Sequence, residues 1–259
     1  MALIEAHNVS KRFESNNGES VLALHGSSFE VEDGDFVTVV GPSGCGKTTL
    51  LMIAAGLESL TDGSLKIDGQ NVTEPRRDTA VVFQKPVLLP WKSALENVLL
   101  PIRSLRKPTV ADRQTAIDLL QAVGLDGFAG SYPNQLSGGM AQRNGLARAL
   151  VTNPRILLMD EPFAALDALT REGLMLHLAR LWETQRKAAL FITHNIAEAV
   201  FLGDKVLVFS PRPGRIMKEI KIDFSRPRTV DLLGTPEFNK KAEEIRYLLE
   251  PKKTEPQAT

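Results

Sequence analysis

The stretch Phe36-Val37-Thr38-Val39-Val40-Gly41-Pro42-Ser43-Gly44-Cys45-Gly46-Lys47-Thr48 decides the fold. Its first five residues are apolar but for one threonine and rich in β-branched side chains. They read as a strand covered on both faces. The next eight fit G-x-x-x-x-G-K-[ST], a loop that cradles phosphate. Glycines let the backbone curl until successive N–H groups face one anion. The apolar run at 49–57 predicts a helix, whose positive end adds to that field. Lys47 is placed to reach the β- and γ-phosphates, and the Thr48 hydroxyl to bind Mg²⁺. Gly41, Pro42, Ser43, Gly44, Cys45, Gly46, Lys47, Thr48 and Thr49 are therefore candidate nucleotide-binding residues. Cys45 reads as a small packing residue of the loop rather than a reactive thiol.

Outward from this loop, apolar runs alternate with amphipathic stretches. Residues 79–83, 156–159, 189–193 and 206–209 read as further buried strands, and 2–9 and 27–31 as half-exposed antiparallel ones. Asp33-Gly34 marks a turn before the first buried strand. The segment 86–150 has helical spacing instead. In it, Thr109 with Asp112 caps a helix that turns Ile117, Leu119, Leu120 and Val123 inward and stops near Gly124. Residues 168–185 predict a helix with Leu174, Leu178, Leu181 and Trp182 on one stripe. A strand or hairpin arm at 216–224, a helix at 237–249 and a polar, frayed tail at 251–259 complete the reading. The expected class is α/β: a P-loop core with a parallel central sheet, an N-terminal antiparallel β subdomain and a helical insert. The expected division is a nucleotide-binding domain at 1–235, with the insert at about 86–150, and a C-terminal helix and tail at 236–259.

Composition narrows the function. The 259 residues hold 31 Lys plus Arg and 31 Asp plus Glu, a formal net charge of zero. A strongly basic nucleic-acid binder is thereby disfavoured, and no nucleic-acid partner is expected. Cys45 is the single cysteine, so an internal disulfide is excluded and a reducing compartment fits. The opening MALIEAHNVSKRF carries a glutamate and no apolar core, so it does not read as a signal peptide. No run of about 18 apolar residues occurs, so any work at a membrane is expected to need a separate membrane partner.

Two further segments carry chemistry. Ile156-Leu157-Leu158-Met159-Asp160-Glu161 is an apolar strand ending in two acids. It delivers Asp160 to the Mg²⁺ side of the loop, and Glu161 can polarise an attacking water as general base. Leu136-Ser137-Gly138-Gly139-Met140-Ala141-Gln142 joins a cap serine to two glycines at a helix start, a second anion site. The glycines weaken that helix unless something must approach its backbone. His7, His25 and His177 have no ligand-like company and read as structural. The phosphate loop alone does not separate kinases, GTPases and transport ATPases.

Leu136-Ser137-Gly138-Gly139-Met140, lying between the phosphate loop and the Asp160-Glu161 strand, resembles the signature of ATP-binding cassette (ABC) ATPases, and the resemblance spans residues 2–225. It implies that Gln84 contacts the metal and the lytic water, and that His194 is the switch histidine at the γ-phosphate. It implies that Ala165-Leu166-Asp167 crosses a dimer interface and that Phe13, where tyrosine is frequent, stacks on adenine. It further implies ATP and Mg²⁺ as cofactors, with Asp160 reaching the metal through water. It also implies that two copies pair head to tail, with Ser137, Gly138 and Gly139 meeting ATP in trans. Asn144 and Gly145 depart from the family's usual apolar or small residues, and an asparagine there needs a hydrogen-bond partner or exposure.

Leu88-Leu89-Pro90-Trp91, Ser210-Pro211-Arg212-Pro213-Gly214-Arg215-Ile216 and Ser225-Arg226-Pro227-Arg228 resemble the nitrate/sulfonate/taurine/bicarbonate importer group, which also includes thiamine-precursor importers. That implies an ATPase on the cytoplasmic face of the membrane, two transmembrane permease subunits and, indirectly, an extracytoplasmic substrate-binding protein. Apolar groups of residues 85–91, with 132–135 beside them, are the candidate permease groove. A DNA-repair or chromosome-handling ABC ATPase is the rival class. It would insert long coiled coils or a zinc module where this chain has a compact helical insert. A P-loop small-molecule kinase has no need of the signature glycines or His194.

Overall fold

The computed structural model describes residues 2–14, 19–164 and 166–250; Ala165 and the expected tail at 251–259 lie outside them. In chain order come β1 (Ala2–Glu14), β2 (Ser20–Glu32), β3 (Phe36–Val40), α1 (Lys47–Ala54), β4 (Asp62–Ile67), β5 (Gln70–Asn71) and β6 (Thr79–Val82). Four helices follow: α2 (Ala94–Val98), α3 (Leu100–Leu105), α4 (Val110–Ala122) and α5 (Gly138–Leu150). The chain then runs through β7 (Ile156–Asp160), α6 (Ala168–Gln185), β8 (Ala188–Thr193), α7 (Ile196–Leu202), β9 (Lys205–Phe209), β10 (Ile216–Lys221) and α8 (Pro236–Leu249).

β2-β1-β4-β5 form an antiparallel sheet, and β10-β9-β3-β8-β7-β6 a second, parallel except for β10. Every residue of β3, β7 and β8 is buried. The period of two splits β3 between two cores. Phe36 and Val40 face the cluster under the helices α2 to α8, whereas Val37 and Val39 face the cluster shared with α1 and the antiparallel sheet. This is the expected α/β class. The order places the carboxyl ends of β3, β8, β7 and β6 side by side. In an open parallel sheet that edge is where ligands bind. It carries the phosphate loop, His194, Glu161 and Gln84.

Several expectations are corrected. β1 and β2 run 13 residues each, past the expected ends, because polar Ser10, Lys11 and Arg12 pair in the sheet with bulges beside them. β4 and β5 were not expected; Gly63 and Lys66 interrupt the apolar pattern of β4. α1 begins at Lys47, β6 stops before Phe83 and β10 stops at Lys221. On α4, Ile117 is 40% exposed and Ala116 takes the inner position. The Thr109–Asp112 capping box is present, and Gly124 ends the segment at φ +72°.

Asn144 meets the demand set by its burial only in part. Its amide donates to the Ala94 carbonyl at 3.0 Å and pins α5 to α2, while its Oδ1 has no partner among the described residues. The Ser225-Arg226-Pro227-Arg228 motif ties the C-terminal segment down. Arg228 donates to the carbonyls of Val200, Phe201 and Gly203 at the end of α7, where a helix leaves acceptors unpaired. Arg226 lies 4.1 Å over the Trp182 ring and 2.8 Å from Asp204. Among the described residues no helix is long and apolar enough to cross a membrane.

Candidate nucleotide site

Lys47 sits buried at the start of α1, its Nζ donating to the Gly41 and Pro42 carbonyls at 2.9 Å each. Gly46 takes φ +106°, and a side chain there would strike the Ala23 carbonyl of β2. The loop after β9 closes on the same turn from behind. The Gly214 amide donates to the Ala23 carbonyl and the His25 amide to the Gly214 carbonyl, both at 2.9 Å. Arg212 Nε donates to the Gly44 carbonyl at 3.1 Å.

Cys45 is 1% exposed, and burial pushes its thiol up, against the opposing pull of the Lys47 charge. A protonated, buried thiol is a poor nucleophile. In the native protein near neutral pH, Cys45 is expected to resist iodoacetamide for hours while the urea-unfolded chain reacts fully. Rapid modification of the folded protein, followed by mass spectrometry, would contradict this.

The acids stand opposite the loop. Thr48 Oγ1 donates to Asp160 Oδ1 at 3.1 Å. Burial, foremost, raises the Asp160 carboxyl, with the Thr48 bond opposing it. Glu161 adopts φ +44°, a conformation few non-glycine residues hold. Its Oε2 receives Gln84 Nε2 at 3.3 Å and lies 3.1 Å from His194 Nδ1. An ionised carboxylate only accepts, so Nδ1 carries the proton in this contact. Behind His194, Thr193 Oγ1 donates to the buried Glu198 at 2.5 Å and Arg171 donates to the Leu166 carbonyl at 2.8 Å.

One open cavity of about 360 Å³ brings together Phe13, Ser43, Gly44, Gly46, Lys47, Thr48, Thr49, Gln84 and Glu161. Asp160 joins it through Thr48, and His194 through Glu161. Phe13, at the end of β1, is 39% exposed and so does not serve as a core residue. Gly41, Pro42 and Cys45 lie behind the lining, the first two as acceptors for Lys47. Ser137, Gly138 and Gly139 are not brought to this cavity. Ser137 caps its own helix through Oγ, which accepts the Met140 amide at 3.2 Å. Its hydroxyl proton stays available to a further acceptor. Sequence reading missed Val21, Ala23 and Arg212 as lining residues; the Ser210–Ile216 motif held the signal for Arg212, and nothing marked the other two.

A family model described as ABC transporter matches residues 24–164. The taurine import ATP-binding protein TauB of Rhizobium johnstonii is 47% identical over 252 residues, covering 95% of this chain and 96% of that protein. The aliphatic sulfonates import ATP-binding protein SsuB of Bacillus cereus is 42% identical, covering 92% and 93%. The solved post-hydrolysis dimer of the ATP-binding cassette MJ0796, bound to ADP and Pi, superposes with a TM-score of 0.76 at 35% identity, covering 86% of this chain and all of that one.

Proposed function

Because the chain belongs to the ABC transporter family, we propose that it is the ATP-hydrolysing subunit of an importer, energising uptake of a small solute through separate permease subunits. The observation that carries the reading is the convergence of Gln84 and His194 on one oxygen of Glu161, at the mouth of the loop that holds Lys47. The relatives' names give taurine and aliphatic sulfonates, so the proposed cargo class is small solutes that carry a sulfonate-like anionic group. A substrate-binding protein outside the membrane would select it, with this chain at the cytoplasmic face. The proposed division keeps 1–235 as the nucleotide-binding domain, the insert at about 86–150 and 236–259 as a C-terminal helix and tail.

The proposed mechanism assigns each residue a task. Phe13 offers its exposed ring to adenine. The amides of Ser43, Gly44, Gly46, Lys47, Thr48 and Thr49, which line the cavity, and the Lys47 ammonium bind the phosphates and stabilise charge that builds on them. Glu161 accepts the proton of the attacking water, and Gln84 and His194 hold its carboxylate in place. Thr48 and Asp160 are hard oxygen donors already joined by a hydrogen bond, so they fit Mg²⁺, with Gln84 beside them. When bound, that ion supplies neutralising charge to the phosphate oxygens. Ser137, Gly138 and Gly139 complete the site of the partner copy, using the free hydroxyl proton and the start of α5.

A DNA-handling ATPase is not favoured. The insert between β6 and β7 holds the α-helices α2 to α5, none longer than 13 residues, and no group of three or more His, Cys, Asp or Glu suited to a metal occurs among the described residues. The exposed Trp91 and Val87, at 69% and 64%, support the permease groove over core packing. Ser137→Arg tests the reading. ATP-driven dimerisation, followed by light scattering in an Glu161→Gln background, is expected to disappear. Nucleotide affinity of the monomer should change by less than about 0.5 kcal/mol. Persistent dimers would remove the trans assignment.

A further inference from the structure

Gln84 heads a loop that a single helix grips at three carbonyls. Gln142 Nε2 donates to the Phe83 carbonyl at 3.2 Å. Arg148 donates through Nη2 to the Pro86 carbonyl and through Nη1 to the Val87 carbonyl, both at 2.8 Å. Between them Gly145 lies beside Pro86, and a Cβ placed there would meet the proline Cβ at an ordinary contact distance of 3.5 Å. Positions 142, 145 and 148 share one face of α5. The same helix starts at the Ser137 cap, roughly 16 Å along the axis from Arg148 at 1.5 Å per residue.

What the grip holds is strained. Val87 adopts φ +37°, a left-handed conformation that a β-branched side chain disfavours. Its side chain is 64% exposed, so packing does not impose that conformation. The restraint falls on its carbonyl. A guanidinium presents its donors in a rigid planar fork, so Nη1 and Nη2 each take one of the two successive carbonyls at a fixed spacing, which a lysine's single nitrogen does not offer. Arg148 has no carboxylate partner among the described residues, and burial alone lowers its pKa. A cation kept in such a place without a counter-charge is an expensive choice for packing alone.

We propose that Arg148 is a positioning residue for hydrolysis. By holding the Pro86 and Val87 carbonyls, it keeps Gln84 against Glu161 and ties the loop to the helix that carries the signature. This inference rests on the site reading given above for Gln84, Glu161 and Ser137.

The test uses the full chain with Arg148→Met, Arg148→Lys and the double variant Arg148→Met/Val87→Gly. Arg148→Met is expected to lower kcat by about ten- to a hundredfold, the scale of a small misplacement in an active site, with KM for ATP nearly unchanged. Arg148→Lys should fall between, since an ammonium replaces only part of the fork. Val87→Gly in the Arg148→Met background should recover most of the loss, because glycine holds a positive φ without strain. Amide hydrogen exchange across 83–89 should quicken in Arg148→Met while β3 stays protected. Wild-type turnover in Arg148→Met would overturn the proposal, as would a loss that Val87→Gly leaves untouched with exchange unaltered. If Arg148→Met does not fold, Arg148→Lys with and without Val87→Gly answers the same question. Normal turnover by Glu161→Gln would instead strike the site reading, and the exchange measurement does not depend on it.

Discussion

Glu161→Gln is expected to keep ATP bound while turnover falls by roughly 10²–10⁴-fold, the usual contribution of a positioned general base. Glutamine has the same length and retains one oxygen that can accept from Gln84 and His194, which both meet Glu161 Oε2 at present. The geometry of the cavity therefore survives, and only the capacity to take a proton is lost. ATP should accumulate uncleaved between two copies, visible as a stable dimer in size-exclusion chromatography with Mg²⁺ and ATP. Single-turnover measurement separates cleavage from product release. Cleavage within about tenfold of wild type, below the range for a general base, would take Glu161 out of that role.

Gly214→Ala is the second large effect. Gly214 lies far from the phosphate loop in sequence, but a methyl group on it would overlap the Cys45 carbonyl oxygen and crowd Phe209 at 3.3 Å. Both its backbone groups are committed to β2, so it has no room to retreat. The phosphate loop must yield instead, and its amides then no longer share one focus. Nucleotide affinity is expected to fall about a hundredfold, or 2.7 kcal/mol. Overpacking should also destabilise the fold by about 1–3 kcal/mol. Gly173→Ala in α6 is the control, with nothing within 4 Å of the added methyl. In a helix that change stabilises by up to about 1 kcal/mol. Equal affinity in Gly214→Ala and wild type would show that the loop behind the phosphate cradle is not its brace.

Legibility in the sequence followed burial. β3, β7 and β8 are covered on both faces, so their apolar runs stand out and their ends bring Gly41, Glu161 and His194 to one edge. β4 was hidden because only Leu65 and Ile67 of its six residues are buried. Ile117 was misjudged because the inner stripe of α4 runs through Ala116, Leu119 and Leu120, and alanine carries little hydrophobic signal. The phosphate loop announces its own chemistry. Gln84 and His194 do not, since an amide or an imidazole after a strand is common; their meaning came from resemblance, and their meeting on Glu161 from the fold. Arg148 had no signal at all, and Gly214 stood in a quoted motif that did not show what it packs against. Their partners are backbone carbonyls and amides, which every residue carries.

The strand order has a consequence for biosynthesis. β3 ends at Val40, yet both its neighbours in the sheet, β8 and β9, lie about 150 residues downstream. A ribosome must therefore release most of the chain before the innermost strand finds either flank. Until then the stretch at 36–40, wholly apolar but for Thr38, is left without its sheet partners, a hazard for self-association. Cells making this protein at speed are expected to depend on chaperones that shelter its amino-terminal third, and premature termination before 209 should yield insoluble fragments.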